Sequence, residues 1–142
     1  SRLVHSPMIN VSLPEQSSAA DWIESIQLLA EDDGAPFWAA IPGDLIVTMT
    51  VIPEGVSLRR DYGSLESLAN AAVITAKTND ASGKLTAFTN GFLEISVAAS
   101  VMAGLAPDRH GVAKRHLVFF KIETGGYTLQ FMVGVLPVVL GA

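Results

Sequence analysis

The chain has 142 residues, 49% of them hydrophobic and 16% charged, with a net charge of −5. That length and apolar content fit one domain with a real core, residues 1–142 throughout, and exclude a disordered chain. The lack of cysteine excludes disulfides and thiolate metal sites and leaves the redox compartment open.

Taken in chain order, residues 8–13 alternate, with Ile9, Val11 and Leu13 on one side, and stop at Pro14. This predicts a short first strand. The opening residues lack the basic-then-apolar pattern of a signal peptide. Residues 17–21 are polar and read as a loop. Residues 26–30 form an apolar run that predicts a second strand, ended by Glu31-Asp32-Asp33-Gly34. Residues 37–41 fit a third short strand or a packed loop. Residues 45–52 predict a central strand, because apolar side chains occupy both faces.

Ser64 suits a helix N-cap, since its hydroxyl can accept an unpaired backbone N–H, and Glu66 sits well in the first turn. Leu65, Leu68, Ala69, Ala72, Val73 and Ala76 recur at helical spacing, which predicts a helix over 64–77. Residues 93–101 alternate like a strand. Residues 103–113 are rich in Gly, Pro and charge and read as a loop. Residues 116–123 and 127–135 predict a hairpin through Gly125-Gly126, whose favoured turn requires positive φ. Residues 124–142 are uncharged but include Pro137 and polar Thr128 and Gln130, so they read as strand rather than membrane span. The order of elements predicts an α+β fold, a mostly antiparallel sheet with a helix packed on it.

Charge is unevenly placed. Residues 1–58 carry eight acids and one base, and residues 59–142 carry eight bases and six acids. The bases gather at Arg59 and Arg60, then at Arg109, Lys114 and Arg115, with His110 and His116 among them. Such a cluster predicts a docking patch for an acidic partner, against the plainer reading of solvated loop ends. Nucleic acid is excluded as a partner by the negative total charge and by the lack of aromatics between the bases.

Chemistry-bearing patterns are sparse. Glu31, Asp32 and Asp33 are consecutive and lack the alternate oxygen ligands of a calcium loop, so they predict a turn. His5, His110 and His116 have no partner three or four positions away, which removes helical zinc chelation. There is no Gly-x-Ser-x-Gly, and Ser64 is explained as a cap. Gly63-Ser64 is a weak phosphate-loop signal. Trp22 and Trp38 read as packing residues. A small enzyme with a pocket beneath the two tryptophans is the rival reading. The expectation from the residues is a binding module without catalytic, metal or cofactor sites.

One block resembles a known family. Residues 47–66 run from a β-branched strand through Pro53, a basic loop, and Asp61-Tyr62-Gly63-Ser64-Leu65-Glu66 into a helix. With Ile9 to Pro14, Leu28 to Asp33, Lys114-Arg115-His116, Gly125-Gly126 and Tyr127, this resembles the PsbP family of extrinsic photosystem II subunits. The resemblance spans roughly residues 8–135. It implies an α/β/α sandwich around a mostly antiparallel central sheet. It also implies a non-catalytic subunit of the chloroplast thylakoid lumen, peripheral to the membrane. Such a subunit would dock on the lumenal face of a photosystem and help stabilise the oxygen-evolving centre. The Lys-His pair of the family helps docking, so the resemblance places the interface at Arg59, Arg60, Arg109, Lys114, Arg115 and His116. Several features depart from the family. The region between Gly91 and Gly111 is short, and residues 135–140 stand where the family has a basic C-terminal helix. Relatives of the same implied fold include bacterial envelope lipoproteins and Ran-binding nuclear factors, which form the alternative functional reading.

Overall fold

The computed structural model describes residues 11–30, 32–55 and 71–141. In chain order these form β1 (Val11–Ser12), β2 (Gln16–Ser17), β3 (Trp22–Gln27), β4 (Ile46–Pro53), β5 (Ile74–Lys77), β6 (Leu85–Ala87), β7 (Phe92–Val97), α1 (Ala99–Met102), β8 (Ala113–Thr124) and β9 (Tyr127–Val139). A short 3-10 turn, Ala103–Leu105, follows α1.

The strands make two sheets. The larger is ordered β1-β9-β8-β4-β5, with β2 also pairing with β9, and the smaller is ordered β3-β7-β6. Pairing is antiparallel except at one edge, where β1 and β2 run parallel to β9. The inner faces of both sheets share one core. Trp22, Ile26, Leu85, Leu93, Ile95 and Val97 of the small sheet pack with Val47, Met49, Val51, Val118, Phe120, Ile122 and Phe131 of the large one.

This architecture corrects the expected fold class. The protein is a mostly β sandwich of a curled mixed sheet and a second sheet, not an α+β fold and not an α/β/α sandwich. The expected helix over 64–77 falls partly outside the described residues, and its last part is strand. Ile74 and Ala76 are buried, Thr75 and Lys77 are exposed, and all four pair with β4. The helical spacing of the alanines competes there with a two-residue alternation headed by β-branched Ile74 and Thr75. The bare edge of β4 supplies backbone partners that decide for the strand.

Other expectations moved in register. The central strand is present as β4, between β8 and β5. The second strand starts at Trp22, before the apolar run, because Trp22 and Ile26 alternate inward with Ile23 and Ser25 outward. Residues 37–41 are a packed loop that buries Phe37 and Trp38. The strand expected over 93–101 stops at Val97, and the chain turns into α1. There the Ala99 N–H donates to Asp21 Oδ1 at 2.7 Å, so a distant carboxylate sets the turn.

The β8–β9 hairpin forms as expected and is longer than the sequence suggested. Thr124 pairs with Tyr127 across Gly125 (φ +58°) and Gly126 (φ +79°). Asp44, just before β4, accepts from Thr124 Oγ1 at 2.8 Å and from the Gly125 N–H at 2.7 Å. The start of β4 is thereby tied to the hairpin tip. These two hydrogen bonds hold the Asp44 carboxyl below its ordinary value, with the backbone bond the larger cause. Midway along the hairpin the register shifts, so that Val118 faces Gly134 while Phe119 faces Met132. Val133 is the extra residue of a bulge. The bulge lets odd-numbered Phe131 and Val133 and even-numbered Leu136 and Val138 all enter the same core.

At the far end of the small sheet, Gly91 (φ +75°) lets two backbones meet. A Cβ there would lie 2.6 Å from the Leu28 carbonyl oxygen. Gly126 has the same kind of φ and nothing within 4 Å. Gly126→Ala should therefore meet only the left-handed backbone penalty of about 1–2 kcal/mol. Gly91→Ala should lose clearly more, because the Leu28 backbone must also move. Denaturant unfolding of the two variants compares them directly, and equal losses would mean that the contact at Gly91 is loose.

Candidate docking surfaces

The basic cluster is built by the stretch that leads from the 3-10 turn into β8. Residues 108–115 are consecutively exposed, before His116 turns into the core. Arg109 and Lys114 come together there, lining an open pocket of about 450 Å³ with Pro107, Asp108, Val112 and Ala113. Among the described residues neither cation forms an ion pair.

The other members of the expected patch separate. Strand alternation sends Arg115 to the opposite sheet face from Lys114. Arg115 there lies across from Glu54, with Nη2 3.5 Å from Oε2. Both groups are largely exposed, so the pair contributes little to stability. His116 is only 1% exposed. It sits between Pro53 of β4 and Leu136 of β9, and its Nδ1 has no hydrogen-bond partner. Burial pushes its imidazole below the ordinary 6.5, the backbone at Leu136 opposes that shift, and the Lys114 charge adds to it. His116 is thus a neutral core residue, and acidification charges it less readily than a free imidazole. Arg59 and Arg60 lie outside the described residues, as does the block 61–66 that carried the family resemblance.

The tryptophans are packing residues. Both are buried, and each indole N–H is bonded within the fold: Trp22 Nε1 to Glu24 Oε1 at 3.0 Å, and Trp38 Nε1 to the Phe88 carbonyl at 2.7 Å. The acidic turn is a turn, closed by a Leu29–Pro36 bridge, with the Ala35 N–H donating to Asp33 Oδ1 at 3.0 Å. Among the described residues no group of three or more His, Asp or Glu side chains could hold a metal ion. Among them, too, no helix is long and apolar enough to cross a membrane.

A second surface was not singled out from the sequence. It is the outer face of the small sheet. Ile23, Phe88 and Phe92 are exposed on it, with Leu29 at its end. The signal was present in the alternation beginning at Trp22, which turns Ile23 outward, and in Asn90-Gly91, a hairpin dipeptide that sets Phe88 opposite Phe92.

No protein-family model and no curated protein matches the chain.

The buried histidine has a measurable consequence. Its folded pKa is lowered and its unfolded value is about 6.5, so the unfolded state binds the extra proton first as pH falls. The His116 contribution is then fully present above pH 6.5 and is lost as pH drops below it towards the folded value. The slope is at most about 1.4 kcal/mol per pH unit. Asp44 and Asp80 act lower, because their lowered carboxyls forfeit stability only below about 3.8. Denaturant midpoints of the wild type should fall between pH 7 and pH 5, and His116→Gln should flatten that slope. An equal slope in both proteins would mean that His116 is not neutral in the core.

Proposed function

We propose that this protein is a non-catalytic docking module that attaches to an acidic protein surface through the basic stretch 108–114. The carrying observation is the convergence of Arg109 and Lys114 on one exposed pocket, where Asp108 also lies but no carboxylate of the described residues is within ion-pair distance of either cation. Two unpaired cations at a rim steer association more than they add affinity, and their effect falls as salt shortens the Debye length. Arg115 lies on the opposite sheet face, across from Glu54, and His116 is buried, so neither is part of the proposed contact.

The resemblance to extrinsic photosystem subunits contributes the idea of a peripheral, non-enzymatic subunit. Its fold-level support is gone, because the α/β/α sandwich it implies is replaced by two packed sheets. The partner is therefore proposed by its chemistry, an acidic protein face, and the photosystem is one assembly to test. The rival enzyme reading places a pocket beneath Trp22 and Trp38, and both are buried side chains whose indole N–H groups are bonded within the fold.

The test is reconstitution. The tagged chain is isolated from its source cells with whatever assembly it joins, and the assembly is washed with rising NaCl. Release between about 0.1 M and 1 M is expected, because over that range the Debye length shrinks from about 10 Å to about 3 Å. The stripped assembly should rebind the wild type, and rebind the Arg109→Glu/Lys114→Glu variant at least tenfold more weakly. Attachment indifferent to both salt and charge reversal would sink the proposal.

A further inference from the structure

Among the described residues the small sheet ends at β3, and no strand pairs with its outer edge. The register identifies which backbone groups face outward. The Leu28 N–H donates to the Gly91 carbonyl at 2.9 Å, in line with the pairing of β3 and β7. Bonding alternates along an antiparallel pair, so Trp22, Glu24 and Ile26 face β7. Ile23, Ser25 and Gln27 turn their N–H and C=O groups away from the sheet. Among the described residues these outward backbone groups have no partner. Ile23 is 66% exposed and Ser25 is exposed.

The other sheet boundaries are treated differently. On the large sheet, β1 and β2 occupy the outer side of β9. On β5, the outward Lys77 N–H donates to Asp80 Oδ2 at 2.8 Å, which blunts that edge. On the small sheet, β6 is only three residues long. Exposed strand edges are templates for pairing, and proteins usually blunt them with charge, proline or cover. Among the described edges, β3 combines six residues of length with no such device directed outward. Its one charge, Glu24, points inward and is held by Trp22.

The geometry points to β3 as a self-association edge, in which a second copy of this chain pairs antiparallel about a two-fold axis at Ser25. The outward residues are self-complementary in that register. Ser25 faces Ser25 of the second copy, and Ile23 faces its Gln27. Ile23 also lies diagonal to the exposed Leu29 of the second copy, within reach of an aliphatic contact. On the inner face Glu24 meets Ile26 of the second copy, so no like charges stand directly opposite. The two Glu24 are diagonal neighbours about 7–8 Å apart, and each carboxylate is held back along its own strand by the Trp22 indole N–H. The nearest repeated acid on the outer face is Glu94, opposite Ser25 on β7. Its two copies would stand three strand spacings apart, about 14 Å, beyond the Debye length of about 10 Å at 0.1 M. The product is one continuous sheet, β6-β7-β3 joined to its own mate, with no open β3 edge left.

Sedimentation equilibrium of the wild type over a wide concentration range tests this. The mass is expected to rise from 15.0 kDa towards twice that value. Ser25→Lys sets two ammonium groups opposite each other, on backbones about 5.5 Å apart. It should raise the dimer Kd at least tenfold and recover in part at 1 M salt. Ser25→Pro removes an N–H that the monomer does not use, as edge strands allow. It should also block dimerisation, without recovery in salt, while keeping the wild-type circular dichroism. A wild type that stays at 15.0 kDa up to about 1 mM overturns the inference, even if another protein's strand binds there. So does a wild type that dimerises no more strongly than the folded Ser25→Lys variant.

Discussion

The hydrogen-bonded position of β8 is the constraint on which the rest of this structure depends. Ala113–Thr124 is paired on both sides along most of its length, with β4 and with β9. Its even-numbered residues, Val118, Phe120 and Ile122, point into the core between the sheets. Phe119 points the other way and is buried with Ile52 against Leu117, Met132 and Ala71. A strand that buries both faces cannot slip by one residue without exposing one apolar set and burying the wrong neighbours. Its partners inherit that register. The bulge at Val133 follows from the same demand, since β9 must change phase midway to keep Phe131 and Leu136 on the core side.

Ring packing continues the argument. Phe120 meets Phe131 edge-on at 6.4 Å and 84°, and Phe131 meets Phe37 at 6.1 Å and 60°. Phe37 belongs to no strand. Its N–H donates to the Leu28 carbonyl at 3.0 Å, so the loop is pinned to the end of β3 while its ring fills the core. Several carboxylates have related structural tasks. Asp21 accepts from the first turn of α1, Asp44 from the hairpin tip, and Asp80 from the edge of β5. A carboxylate accepting a backbone N–H at the end of an element satisfies a donor that would otherwise be unpaired, and it is fixed in place by doing so.

What this frame leaves at the surface has two physical characters. The stretch 108–114 presents exposed charge whose field acts at long range, sensitive to salt and tolerant of geometry. The β3 edge offers directional backbone groups at short range, which are indifferent to salt and exacting in register. The two can operate together, because they use different residues and different forces. A β-sandwich is well suited to this division. Its core consumes the alternating inward residues, and its loops and unpaired edges remain free for recognition.

The sequence by itself determined the elements whose signal is local. Alternation over residues 45–52 and 116–135, and the need for positive φ at Gly125-Gly126, are properties of a few neighbouring residues, and β4 and the final hairpin follow from them. Asp32-Asp33-Gly34 as a turn is legible for the same reason. Tertiary structure decided the rest. Residues 74–77 carry both a helical spacing and a strand alternation, and the free edge of β4 resolves them as β5. Residues 98–102 continue an alternating pattern, and Asp21, far away in the chain, ends it as α1. The basic cluster was legible as composition but not as a surface, because a strand places successive residues on opposite faces. Lys114 goes to the pocket, Arg115 to Glu54, and His116, one residue further, into a core whose depth no sequence window contains.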